Sequence, residues 1–258
     1  INEASVYISY SDVSEAAGDI RHLAFSSGID DIIREAFSEG EKKLVVLISR
    51  SSYSAEDMAA AVTRVYREDP ALVPKEPLAS VNMYSGTGAQ RLYEISINYG
   101  MTSEELDART AQLQAVDAFA ELDTSGMSEA ELAYAACEYL MEHCAVSEDR
   151  SDNTAYAALV GGRADSEGAA LAYIVLCREL GIDCRIVYGQ EDWTEHCWNI
   201  VRIDGSYYHV DITAAIENGA EAGFLMNDEM AWGRYRWDVS SYPKCSGELR
   251  CSDLLFDE

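Results

Sequence analysis

Apolar and polar positions along the chain change period several times, and the changes mark out elements. Val6 to Tyr10 alternates as a strand does, while Ile29 to Phe37 repeats its apolar residues at helical spacing. Leu44 to Ile48 is a continuous apolar run, short enough for a buried strand. Ser54 precedes a helix over Ala55 to Tyr66 with Met58, Val62 and Val65 on one face, and Pro70 and Pro74 end that pattern. Val81 to Tyr84 and Arg91 to Tyr99 read as a hairpin around Gly86-Thr87-Gly88. Its second arm sets Tyr93, Ile95 and Ile97 against Leu92, Glu94 and Ser96.

Ser103 to about Leu122 reads as a polar connecting helix, punctuated by Thr124-Ser125-Gly126. Ser128 then caps an amphipathic helix, with Glu131 completing a capping box and Leu132, Ala136, Cys137, Leu140 and Cys144 as its buried stripe. These patterns predict an α+β chain in three parts: an N-terminal α+β domain over 1–100, a linker helix over 101–127 and a second domain over 128–258.

The second domain contains segments that converge on a candidate site. Asp204-Gly205 between two alternating apolar-aromatic runs is a two-residue hairpin signal. Closing that turn pairs Ile203 with Ser206, Ile200 with His209 and Trp198 with Asp211. His196, two residues before Trp198, then shares a face with Asp211, where a carboxylate can fix the imidazole's tautomer and orientation. A solvated cross-strand polar pair is the alternative. The third segment opens a helix whose stripe is Ala169, Ala170, Tyr173, Ile174, Cys177 and Leu180, ended by Gly181. Ser166 stands at its first turn, where a nucleophile gains from the helix dipole and where serine also serves as an N-cap.

The charge balance narrows the partners. Among 258 residues, 46 acidic against 19 basic give a formal net charge of -27, which repels phosphate backbones and anionic lipid surfaces. Nucleic-acid binding is therefore not expected. No apolar run reaches the roughly 18 residues that span a bilayer, so membrane insertion is not expected either. The chain opens at Ile1, in keeping with a removed leader and an extracytoplasmic or secreted location. Of the seven cysteines, Cys137, Cys144 and Cys177 fall on apolar helical faces as buried thiols, and Cys245 and Cys251 could bridge in an oxidising compartment. None has zinc-type spacing with histidine, so neither metal nor cofactor is expected.

Several motifs in order resemble the transglutaminase-like domain of bacterial extracytoplasmic proteins, a branch of the papain-type cysteine enzymes. They are Ala155 to Val160 with the glycine-rich turn, Gly181-Ile182-Asp183-Cys184-Arg185, His196-Cys197-Trp198-Asn199 and Tyr208-His209-Val210-Asp211. Phe224 to Met230 and Tyr242-Pro243-Lys244-Cys245 resemble that group's C-terminal segment, so the likeness runs from about Glu129 to Cys245. It implies a papain-like core, a helix bearing the nucleophile position packed on an antiparallel sheet. It also implies Ser166, His196 and Asp211 as the triad positions, with Ser166 where the family carries cysteine. The neighbours differ too: Asp165 replaces a small apolar residue, Ala169 a tyrosine and Ala214 a tryptophan.

Oxygen and sulfur lead to different expectations. A thiol needs only a modest push to ionise, whereas a serine hydroxyl reacts only if a base removes its proton during attack. Asp165 and Glu167 add negative potential where an alkoxide would form. The expected protein is a non-catalytic module whose groove, lined by Trp193, His196, Trp198 and Tyr208, binds a peptide, protein or cell-surface ligand. The competing expectation is a working Ser166–His196–Asp211 triad acting on amides or esters. Cys177, Cys184 and Cys197 make poor substitutes, because Cys197 faces away from His196 and Cys177 is about three turns from Ser166.

Overall fold

The computed structural model describes residues 20–255, in two compact units. The strand expected at Val6 to Tyr10 lies outside the described residues. The first unit includes residues up to Thr63 and Pro77–Gly100, and the second Arg64–Glu76 and Met101 onward.

The first unit is a four-stranded sheet in the order β1-β2-β4-β3: β1 (Arg21–Phe25), β2 (Lys43–Arg50), β3 (Leu78–Ser85) and β4 (Arg91–Asn98). β1 and β2 are parallel, joined through α1 (Ile29–Ser38), and the other pairs are antiparallel. The α1 stripe Ile29, Ile33, Ala36 and Phe37 is buried, as are Leu44, Val46 and Ile48 on β2 and Tyr93, Ile95 and Ile97 on β4. α2 (Ala55–Glu68) buries Met58 and Val62 here, and its last turn belongs to the second unit. The β3–β4 turn closes with Gly86 N–H donating to the Gln90 carbonyl, and Gly88 takes a left-handed φ of 61°.

In the second unit α3 covers Ser103–Gln114, shorter than the connecting helix the sequence predicts. Its buried positions end at Leu113, and Val116, Phe119 and Leu122 beyond it are only partly covered or exposed, so they reward further helix little. α4 (Glu129–His143) begins with the predicted capping box: Glu131 N–H donates to Ser128 Oγ, and the Glu131 carboxylate accepts from Ser128 N–H. Its buried face is Ala130, Ala133, Ala136, Cys137 and Leu140, so Leu132 sits at the margin. Short β5 (Ala145–Val146), α5 (Ala155–Leu159) and β6 (Arg163–Ala164) lead into α6 (Ser166–Glu179).

α6 is enclosed rather than amphipathic. Leu171, Ala172 and Leu176 are buried in addition to the predicted stripe, because α4, α5 and the sheet surround it. Small residues let neighbours approach: a Cβ at Gly168 would overlap the carbonyl oxygen of Asp152. Gly181, at φ 75°, ends the helix, and Ile182 N–H donates to the Cys177 carbonyl.

The main sheet is antiparallel in the order β10-β7-β8-β9, with β7 Asp183–Glu191, β8 Thr194–Ile203, β9 Ser206–Val210 and β10 Tyr235–Arg236. Asp204 and Gly205, at φ 49° and 82°, make the tight turn, and Ile203 faces Ser206 while Ile200 faces His209. The ladder stops at Asn199 and Val210, one pair short of the predicted Trp198–Asp211 register. Asp211 instead becomes the N-cap of α7 (Ile212–Asn218). One sheet face carries Tyr188, Cys197 and Asn199 toward α6, where the Asn199 amide donates to the Ala170 carbonyl. The other face is covered by C-terminal residues around α8 (Asp228–Ala231), in a cluster of Val187, Trp198, Ile200, Met226, Ala231, Tyr235 and Cys245. Cys245 and Cys251, the latter opening α9 (Cys251–Leu255), are free thiols rather than a bridge, as are the other five cysteines.

Candidate active site

A groove of about 1070 Å³ in the second unit brings together Ser166, His196 and the end of the β7–β8 hairpin. Ser166 is the first residue of α6, and its neighbour Asp165, not Ser166, caps the helix by accepting from Gly168 N–H at 2.9 Å. Both residue types cap helices, and the carboxylate occupies the extended position just outside the first turn. That frees the Ser166 hydroxyl, which accepts a hydrogen bond from Cys197 N–H at 3.2 Å.

His196 is fixed from the other side. Its Nε2 lies 2.7 Å from Asp211 Oδ2. Asp211 is wholly buried and has three further donors: Tyr235 Oη to Oδ2 at 2.8 Å, Thr213 Oγ1 to Oδ1 at 2.7 Å and Ala214 N–H to Oδ1 at 3.1 Å. Burial pushes this carboxyl up, but the His196 hydrogen bond and charge, with the Ala214 and Thr213 donors, hold it below its ordinary range. Burial pulls the His196 imidazole down, and Asp211 and Glu191 together outweigh that and hold it above its ordinary value. Glu191 Oε2 stands 3.7 Å from His196 Nε2, while its Oε1 pairs with Arg234 at 2.5 Å.

Strand register explains these neighbours. Gly189 faces His196, Glu191 faces Thr194 and Tyr235 faces Glu191, so Tyr235, Glu191 and His196 share one face. Cys197 lies on the opposite face, with Tyr188, whose hydroxyl donates to Glu167 Oε1 at 2.9 Å. The Arg67 guanidinium sits 4.2 Å from the Tyr188 ring centre. Burial and then the Glu167 and Asp165 charges push the Cys197 thiol up, which disfavours its thiolate. Burial also raises the Asp165 carboxyl.

The predicted aromatic lining needs correction. Trp198 and Tyr208 are 1% and 5% exposed, so they belong to the core and not to the groove wall. Trp198 Nε1–H donates to His209 Nδ1 at 3.0 Å, and Tyr208 points to the face away from His196, beneath Gly247. Trp193 is 70% exposed at the hairpin tip, between groove residues Glu191 and Thr194, with Arg236 against its ring. Tyr235 and Arg234 escape the sequence reading because they belong to or adjoin a two-residue strand, and Glu191 because the turn that aligns it with β8 is Asp192-Trp193. Both residues have positive φ without a glycine to announce it.

The second unit thus places Ser166 at the start of a helix, His196 on the adjoining sheet and Asp211 just after the next strand, three positions gathered at one end of the sheet. Residues 117–212, which include all three positions, match the model of the transglutaminase-like superfamily. No curated protein matches the chain. Among solved structures, a TGase is 11% identical over 75% of this chain, with a TM-score of 0.35, and the chain spans 59% of its length. A Cytophaga hutchinsonii protein described provisionally as a cysteine protease is 10% identical, with a TM-score of 0.34, over 58% of this chain and 68% of that one. Menin, solved with its binding site for the Mixed Lineage Leukemia protein, is 19% identical, with a TM-score of 0.31, over 44% and 26%. These structural likenesses are too slight to carry an argument. The second unit is an α+β domain, and residues 117–212 within it are the part that is similar to the transglutaminase-like superfamily.

Proposed function

We propose that the second unit is a non-catalytic transglutaminase-like module that binds a cationic peptide segment in its groove. One observation carries the loss of catalysis: the Ser166 hydroxyl bonds to Cys197 N–H, and the His196 nitrogen that is engaged bonds to Asp211. Among the described residues no base bonds to the hydroxyl, and the acidic neighbours of His196 favour the imidazolium, which cannot take a proton. Glu167 and Asp165 flank the position where an alkoxide would have to form.

The groove wall supports the ligand class. Glu148, Asp165, Glu167, Glu191, Glu195 and Glu217 line the groove with Arg67 and Arg150, and Arg234 pairs with Glu191 from beside it, six carboxylates against three guanidiniums. A wall of one charge sign in a concave site concentrates ligands of the other. A labelled oligo-arginine peptide should bind the full chain, and Glu167→Gln combined with Glu195→Gln should weaken it several-fold. Rising salt should weaken it too. Equal binding by the double variant would count against the groove.

The intact His196–Asp211 pair at 2.7 Å favours a second reading, a working serine triad. A fluorophosphonate probe separates the two. Labelling of Ser166 that disappears in His196→Ala would overturn the non-catalytic reading.

A further inference from the structure

Two groups of side chains in the second unit hold metal-ligating atoms within 4.8 Å of one another: His209, Asp228 and Cys245, and Glu191, His196 and Asp211. The second ring nitrogen of each histidine separates them. His209 Nδ1 accepts from Trp198 Nε1–H at 3.0 Å, so Nε2 carries the ring proton and donates to Asp228 Oδ1 at 3.0 Å. A metal on Nε2 would require the proton on Nδ1, against the indole N–H. The buried Trp198 therefore locks His209 into a structural role.

His196 has no such lock. Its Nε2 points at Asp211 Oδ2 and lies 3.7 Å from Glu191 Oε2, and among the described residues no indole or amide N–H claims Nδ1. We propose that Glu191, His196 and Asp211 bind one divalent transition-metal ion, of the Zn²⁺ class, at the edge of the groove. One imidazole and two carboxylates are a donor set that suits such an ion, and the two carboxylate charges balance its own. Binding displaces the proton from Nε2, and the metal-bound ring carries its proton on Nδ1.

The surroundings orient the donors. Arg234 holds Glu191 Oε1 and leaves Oε2 as the ligating atom. Thr213 and Ala214 hold Asp211 Oδ1, and Tyr235 steadies Oδ2, an outer layer of the kind that fixes metal ligands. Glu191 and His196 line the groove, so the remaining coordination positions open toward it. The Arg234 charge opposes a cation there, and the five groove carboxylates other than Glu191 oppose Arg234. The site goes beyond the peptide-binding reading and does not depend on it.

Calorimetric titration of the full chain with ZnCl₂ tests the site, with Co²⁺ absorption as a second readout. The expected result is one ion per chain, weakened at least about tenfold in Glu191→Gln and in His196→Gln and unchanged in Cys245→Ser. Glu191→Gln preserves side-chain volume at a partly exposed position, so it decides the matter if His196→Gln fails to fold. Absence of uptake at about millimolar Zn²⁺, where binding is worth only ~4 kcal/mol, would overturn the proposal. So would uptake that survives Glu191→Gln, or uptake lost in Cys245→Ser, which would place the ion at His209.

Discussion

Tyr235→Phe tests whether Asp211 owes its ionised state to the donors around it. The substitution removes one hydroxyl from a side chain 2% exposed and leaves the ring packed against Trp198, with centroids 5.1 Å apart. A hydrogen bond to a buried charge is worth about 1.5–3 kcal/mol, and its loss here leaves part of Oδ2 without a donor. For a unit of this size that corresponds to a melting shift of roughly 3–12 °C. All four tryptophans, Trp193, Trp198, Trp232 and Trp237, lie in the second unit, so their fluorescence in a urea titration follows that unit without interference from the first. The penalty should be large at neutral pH and shrink as acid protonates Asp211. In an Asp211→Asn background it should largely vanish. A neutral-pH cost below about 0.5 kcal/mol, or the same cost in both backgrounds, would refute the account of Asp211 as a carboxylate held by its donors.

Other substitutions probe the same unit. Gly168→Ala should destabilise by about 1–3 kcal/mol, although alanine normally favours a helix, because the new methyl group meets the Asp152 carbonyl; a raised urea midpoint would contradict that packing. His196 in the folded chain sits above its ordinary value of 6.5, so its contribution is complete below about that pH and fades as pH rises through the folded value. Asp211 sits below 3.8, so its contribution is present above that pH and fades as acid takes it through the lower folded value. His196→Gln should therefore cost more at about pH 5.5 than at about pH 9, and a cost that grows with pH would reverse the assignment. Trp198→Phe should cost about 1–2 kcal/mol through loss of the N–H that fixes His209, and an exchange-protected His209 Nε2 proton unchanged by the substitution would speak against that lock.

Much of the framework was legible because its signals are local. Asp204-Gly205 announces a turn whose φ values only such residues adopt easily, and strand arithmetic then brings His196 toward Asp211 from fifteen residues away. Gly181 likewise marks the end of α6. Where the sequence misled, two residues could fill one role or a tertiary contact decided. Asp165 and Ser166 are adjacent and both cap helices, so only the folded backbone selects Asp165. Alternation places Trp198 on the same face as His196 but cannot tell that Met226, Ala231 and Cys245 cover it. Tyr235 reaches Asp211 through a two-residue strand too short to show a period.

The His196–Asp211 pair and Ser166 obey different constraints. Asp211 is a carboxylate in the interior, and a buried charge is tolerated only with partners; here four donors serve it, His196 among them. Removing His196 or Tyr235 would leave that charge short, so the pair is held in place by folding alone, whatever the groove does. Ser166 carries no such obligation. Asp165 caps its helix, and its hydroxyl serves only a backbone N–H at the groove surface. A chain under no demand for a nucleophile could therefore change this position freely while His196 and Asp211 stayed. An intact histidine–aspartate pair is thus weak evidence for catalysis in this fold, and the hydroxyl's choice of partner is the stronger evidence. The test that follows is Ser166→Ala, which should leave peptide affinity within about 0.5 kcal/mol of the parent and cost the second unit, in a urea titration, no more than about 1.5 kcal/mol, the worth of the Cys197 N–H bond. A larger loss in either would mean that Ser166 serves more than that N–H.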